Sequence, residues 1–166
     1  ERLGGDVRAC YLDHCGPPLA EVADRPGIVV PLLFSPGYHV RVDVGAAIAE
    51  TAVPMTLAEP PLLTSPGGWI NGLLAEVRRS WPGSAVAMVT AGSRDDAVLR
   101  LWEDCAAATA AQIAHASGPG ARLSQLALDG PTVAVPLLVA RGYFGDTIAA
   151  SAADLGIPVA ALAGTS

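Results

Sequence analysis

The chain has 166 residues, 51% hydrophobic and 16% charged, so it is long enough for one folded domain or two small halves and too apolar for a disordered protein. Ten arginines and no lysine stand against 16 acidic residues, and this net charge of −6, without a basic stripe, argues against a nucleic-acid partner. The sequence has no evident signal peptide, no C-x-x-C motif and no apolar run near the ~20 residues that span a bilayer. We therefore predict a cytoplasmic protein with no membrane partner.

Strand-like and helix-like segments alternate through the first part of the chain. Residues 6–23 hold an apolar, strand-like run, a Gly-Pro-Pro break and then the start of a helix at Leu19. The unbroken apolar run of residues 27–39 predicts a strand buried on both faces. A short helix is predicted over 42–52, a strand over 53–61, and a helix over 67–81 that ends at a Pro-Gly pair.

The same kinds of segment recur in the second part of the chain. Residues 84–96 predict a strand that turns through Gly-Ser into a helix beginning near Asp95. Residues 110–116 are rich in alanine, which favours a helix, but they precede a Gly-Pro break as the strand-like run of the first part does, so we predict a strand. Residues 132–144 repeat the buried strand, and residues 157–163 repeat the strand pattern of 53–59.

An internal repeat organises the sequence. Residues 30–38 (VPLLFSPGY) and 135–143 (VPLLVARGY) share six of nine residues at a constant offset of 105. Alternating strands and helices in two similar copies predict an α/β fold of two halves, each a parallel sheet flanked by helices, with a cleft between them. The predicted halves are residues 1–82 and 83–166, and such a duplication would let a monomer form a closed cleft.

The two halves differ in the number of predicted strands. The second half contains four and the first contains three, because nothing in the first half matches the strand and helix of residues 86–107. The first half is therefore predicted to lack its first β-α unit. Such a unit spans about 35 residues.

Candidate functional residues follow the predicted strands, because ligands of parallel α/β sheets bind at the carboxyl ends of the strands. His39 follows a Pro-Gly turn at such an end, and Phe144 takes its place in the second copy, so packing does not require the imidazole. His39 is a candidate for metal binding or acid–base chemistry. His14 and His115 also fall near strand ends, where the simpler interpretation of each is a loop imidazole.

A weaker candidate is the Ala-Gly-Ser-Arg-Asp-Asp segment, residues 91–96, which leads from a strand into a helix. Main-chain N–H groups at such a helix start can bind an anion. Ser93 and Asp95 are equally well explained as a pair that caps the helix.

The segment VVPLLFSPGYHVRVDV, residues 29–44, resembles the metal-site segment of sirohydrochlorin chelatases, the class II tetrapyrrole chelatases. Residues 11–22, 90–97 and 133–144 are similar to further family segments in the same order. The resemblance implies a chelatase-like α/β fold and a lyase that inserts Co²⁺ or Fe²⁺, as substrate, into sirohydrochlorin in cobalamin or sirohaem synthesis. It implies no organic cofactor.

The resemblance also implies roles for particular residues. His39 matches the metal-binding histidine of the family's Gly-Tyr-His motif, with Gly37 and Tyr38 beside the substrate, and His14 is a possible neighbouring metal ligand. The family's other metal histidine belongs to a His-Gly-[Ser/Thr]-Arg motif, which would lie before residue 1. Its echo in the second half is residues 91–94, where alanine replaces the histidine.

Substrate carboxylates would pair with arginine, because guanidinium binds carboxylate through two hydrogen bonds. Arg41 and Arg94 are the predicted arginines, with Ser93 as a further contact. Asp43 would orient Arg41 or an imidazole, although Arg41 and Asp43 are also interpretable as a solvated pair at a helix start. Two alternatives to a chelatase remain at this point: a non-catalytic tetrapyrrole- or metal-binding protein, and an α/β domain with an assembly role.

Overall fold

The computed structural model of the chain describes residues 6–12, 16–34, 42–60, 66–139 and 142–161. It is an α/β structure with two small parallel sheets and flanking helices. The chain divides into two compact units, residues 1–61 and 62–166. No helix among the described residues is long and apolar enough to cross a membrane.

The first unit contains a two-stranded parallel sheet. Gly27 lies opposite Met55 and Val29 opposite Leu57. The predicted helix within 42–52 and the predicted strand within 53–61 are both confirmed. In chain order, the elements are α1 (Leu19–Val22), β1 (Gly27–Val29), α2 (Val44–Ala49) and β2 (Met55–Leu57).

Two expectations for the first unit are wrong. The run from residue 27 does not form a strand buried on both faces: β1 has three residues, and the Ile28 side chain is 70% exposed. Residues 6–12 form no strand, and all but Cys10 are exposed. In this segment Arg8 forms ion pairs with Asp6 and Asp24 instead, and the apolar side chains stay exposed because no described strand pairs with the segment.

The second unit contains a three-stranded parallel sheet in the order β4-β3-β5. Of the strand predicted at 157–163, the described residues 157–161 form an isolated parallel bridge, between Ala134 and Val159. The predicted helix within 67–81, the strand and helix start within 84–96 and the strand within 110–116 are confirmed. The strand predicted over 132–144 forms only at Thr132–Pro136, and a helix begins at Tyr143. In chain order, the elements are α3 (Pro66–Ser80), β3 (Ala85–Thr90), α4 (Asp96–Ala108), β4 (Gln112–His115), a 3₁₀ turn (Leu123–Gln125), β5 (Thr132–Pro136) and α5 (Tyr143–Asp154).

The core of the second unit explains why these segments fold as they do. Helix α3 buries Ile70, Leu74 and Val77, which recur at the spacing of one helix face. Strand β5 is buried along its whole length, as its continuous apolar run predicts. Ala114 of β4 is fully buried in a cluster with Ile148 of α5, so its small side chain fits a crowded sheet face that outweighs its helix propensity.

Candidate functional site

The candidate site lies at the carboxyl edge of the β4-β3-β5 sheet. All three strands are parallel, so the segments that follow them emerge at one edge, where α/β sheets bind ligands. Thr90, the last residue of β3, is in register with His115, the last residue of β4. The loop after β3 carries Ser93 and Arg94, two of the residues predicted from the sequence.

The loops after β3 and β4 are fastened to each other through their main chains. The Ala116 N–H donates to the Thr90 carbonyl at 2.9 Å, and the Ser117 N–H donates to the Ala91 carbonyl at 2.9 Å. The Ser117 hydroxyl also donates to the Ala91 carbonyl, at 2.7 Å. Gly92 has a φ of 103°, and a Cβ there would overlap the Ser117 carbonyl oxygen, so this close approach requires glycine.

Ser93 and Asp95 form the helix start that the sequence indicates. The Ser93 Oγ accepts from the Asp95 N–H at 3.0 Å, and the Asp95 Oδ1 accepts from the Ala97 N–H at 2.9 Å. Asp95 is thus the N-cap of α4. Arg94 is exposed and forms no ion pair within the part of the chain that the structure describes.

A buried pair, Thr90 and His115, lies beneath these loops. The Thr90 Oγ1 is 2.8 Å from His115 Nδ1 and accepts from the Gly92 N–H at 3.1 Å. We assign the threonine proton to the bond with Nδ1, since no other described acceptor is within reach, and this places the imidazole proton on Nε2. His115 is only 3% exposed, and this burial lowers its pKa. Glu103 opposes the shift, and Arg122 adds to it.

Arg122 holds the loop after β4 closed over the imidazole. Its Nη2 donates to the Gly118 carbonyl at 2.7 Å, and its Nη1 donates to the Gly120 carbonyl at 3.3 Å. Gly120, with a φ of 98°, lies so close to the His115 ring that a Cβ would overlap it. A cavity of about 40 Å³ beside His115 and Ser151 has room for a water molecule and not for a tetrapyrrole.

Most of the predicted site lies outside the described residues. Gly37, Tyr38, His39, Arg41 and His14 all fall there, so their roles stay predictions. Among the residues that are described, no group of three or more histidine, cysteine, aspartate or glutamate side chains could hold a metal ion.

Two further residues can be compared with their sequence interpretation. Asp43 immediately precedes α2, at a helix start as the sequence indicates, and its predicted relation to Arg41 falls outside the described residues. His115 is a buried strand residue and not a loop imidazole. Its pairing with Thr90 was missed from the sequence, because it follows from the register of β3 and β4.

No family model matches the chain, and comparisons with curated proteins and with solved structures gave no match either.

The burial of His115 predicts a pH dependence of stability. Its folded-state pKa lies below the ordinary value of about 6.5, so below that pH the unfolded state binds more protons than the folded state. The contribution of neutral His115 to the free energy of unfolding of the second unit is therefore fully present above about pH 6.5. It is lost as the pH falls from the unfolded-state pKa of His115 to its lower folded-state pKa. We expect His115→Gln to remove this part of the pH dependence.

Urea unfolding between pH 7.5 and 5.5 checks this, because all three tryptophans, Trp69, Trp81 and Trp102, lie in the second unit and report on it by fluorescence. Equal slopes of stability against pH in the parent chain and in His115→Gln would contradict the expectation. The difference between the two slopes isolates His115 from the carboxylates, which titrate in both proteins.

Proposed function

We propose that the chain inserts Co²⁺ or Fe²⁺ into sirohydrochlorin, as sirohydrochlorin chelatases do in cobalamin or sirohaem synthesis. The observation that carries the proposal is the repeated segment at 30–38 and 135–143, in which only the first copy continues into a histidine, His39, while Phe144 follows the second. The α/β structure with parallel sheets is consistent with it. The finer arrangement, two chelatase-like halves around a cleft, is part of the proposal.

His39 has the chemistry that metal insertion requires. The reaction removes two pyrrole N–H protons and passes a partly dehydrated divalent cation into the ring. A neutral imidazole ligates Co²⁺ or Fe²⁺ and also titrates near neutral pH, so it can hold the metal or accept a pyrrole proton. His14 is the proposed second ligand, since it also falls near the end of a sequence-predicted strand.

Binding of the tetrapyrrole carboxylates is assigned to Arg41 and Arg94. The support from the structure concerns Arg94, which is exposed on a loop whose main chain is fixed by the bonds from Ser117 to Ala91. A guanidinium on a rigid loop loses little freedom when it binds a carboxylate through two hydrogen bonds. Ser93 lies beside it, although its oxygen already accepts from the Asp95 N–H.

A second candidate function is the binding of a tetrapyrrole or a metal ion without turnover. The observation in its favour is that the sequence contains one of the two metal histidines that the resemblance implies, His39, while the second-half echo of the His-Gly-[Ser/Thr]-Arg motif carries Ala91 in place of histidine. The two candidates differ in a simple respect. A chelatase accelerates metal insertion, whereas a binding protein changes the spectrum of sirohydrochlorin without accelerating it.

His39→Ala is expected to reduce the rate of metal insertion at least about 100-fold, the usual size of a lost acid–base or ligand group. The rate is measured from the visible spectrum of sirohydrochlorin with Co²⁺ and then with Fe²⁺, against the reaction without protein. Phe144→Ala is the matched control, because it removes the ring at the equivalent position of the second copy, and its rate is expected to equal that of the parent chain.

An equal acceleration by His39→Ala and the parent chain would contradict the assignment of His39. A spectral shift without acceleration by the parent chain would replace the chelatase by the binding protein. No spectral change with either ligand would favour the assembly domain.

A further inference from the structure

One short sequence occurs twice in this chain with opposite burial. Val30 and Leu32 of the first copy are 50% and 58% exposed. Their counterparts at the offset of 105, Val135 and Leu137, are 0% and 1% exposed. Residues 30–33 and 135–138 are identical (VPLL), so the difference arises from the neighbours of each segment and not from its own side chains.

In the second unit, the repeated segment has hydrogen-bonded neighbours on both sides. The Leu137 N–H donates to the Val89 carbonyl of β3 at 2.8 Å. On the opposite side, the Ala134 N–H donates to the Pro158 carbonyl at 2.9 Å. Main-chain groups alternate in direction along a strand, so the N–H and C=O groups of Val133 and Val135 point toward β3, as those of Leu137 do. The pairing of β3 with β5 agrees with this.

In the first unit, the described residues occupy only one of these two sides. The Gly27 N–H donates to the Pro54 carbonyl at 3.3 Å, and the Val29 carbonyl accepts from the Ala58 N–H at 2.9 Å. Val29 is the counterpart of Ala134 and faces the equivalent neighbour. Alternation turns the main-chain groups of Ile28 and Val30 to the other edge, where they bond to no described residue.

We propose that this open edge, Ile28, Val30 and Leu32, is a docking site for a parallel strand–helix unit of the kind formed by β3 and α4. A strand would take up the N–H and C=O groups that remain on the edge, and an apolar helix face would cover the three exposed side chains. The second unit shows the same segment buried once such a strand lies beside it. The inference rests on the duplication and on burial, and it is independent of the metal chemistry.

A second copy of the chain fits this edge less well. Twofold-related copies that pair through β1 would place the two strands antiparallel. In both sheets of this protein all the pairings are parallel among the described residues. The expected partner is therefore a separate strand–helix unit with an apolar, β-branched strand like Ala85–Thr90.

The test fuses a second copy of residues 84–109 ahead of residue 1 of the full chain and follows amide hydrogen exchange by NMR. The Ile28, Val30 and Leu32 amides are expected to exchange about 100-fold more slowly than in the parent chain. The Gly27 amide, already bonded to Pro54, is the internal reference. The matched control carries Ala87→Pro and Val89→Pro in the fused copy alone, which removes two of the three N–H groups that would face β1, and it is expected to give no slowing.

Equal exchange in the fusion and its proline control would overturn the proposal. Slowing of the same amides in the parent chain as its concentration rises would also overturn it, in favour of a second copy. Where the fusion does not fold, the peptide of residues 84–109 is added to the parent chain instead. Slowing at Ile28 and Val30 then supports the proposal, and its absence at millimolar peptide refutes it.

Discussion

Gly92→Ala is expected to lower the free energy of unfolding of the second unit by about 3 kcal/mol. Two costs add at this position. An alanine at a φ of 103° is strained by about 1 kcal/mol or more. Its Cβ would also overlap the Ser117 carbonyl oxygen, which is main chain and cannot rotate away as a side chain would. The two loops must separate, and the bonds from Ser117 to the Ala91 carbonyl are lost with that movement.

Gly83→Ala separates the two costs. Gly83 also has a positive φ, 80°, but a Cβ there would contact nothing, so only the conformational cost of about 1 kcal/mol remains. Urea unfolding followed by tryptophan fluorescence measures both variants in the unit that contains them. If Gly92→Ala and Gly83→Ala lower the free energy of unfolding by the same amount, the loops after β3 and β4 do not approach each other as closely as in the structure.

The sequence predicted well those elements whose hydrophobic pattern matches the residues that are buried in the structure. β5 has a continuous apolar run and is buried throughout, and α3 has a helical stripe that is buried as a stripe. β4 was predicted against its alanine content only because the duplication supplied a comparison. Local propensity is a weak guide where a crowded sheet face selects small side chains such as Ala114.

The wrong predictions concern segments whose burial depends on neighbouring strands, and a local sequence pattern does not show which strands will be neighbours. The apolar run of residues 27–39 was predicted to be buried on both faces, yet β1 has a single strand neighbour among the described residues. The site shows the same limit. His115 was visible in the sequence, but its pairing with Thr90 depends on the register of β3 and β4, which no sequence pattern specified.

Leu137→Ala is expected to destabilise the second unit by about 3 kcal/mol, because Leu137 is 1% exposed and its truncation leaves a cavity in a closed core. Leu32→Ala changes the same residue of the same repeated segment, but at 58% exposure it should cost less than about 0.5 kcal/mol. Tryptophan fluorescence in urea reports on the first variant. Amide exchange of β1 and β2 reports on the second.

Leu32→Ala and Leu137→Ala also measure how much a strand–helix unit docked on the β1 edge would contribute to the stability of the first unit. If a strand–helix unit docks on the β1 edge, Leu32 becomes the equivalent of Leu137 in its surroundings as well as in its sequence. In the fusion with residues 84–109, Leu32→Ala should then become costly, approaching the effect of Leu137→Ala, while the cost of Leu137→Ala stays unchanged. A large loss of stability on Leu32→Ala in the parent chain itself would mean that the β1 edge is already covered and that Leu32 is not exposed there.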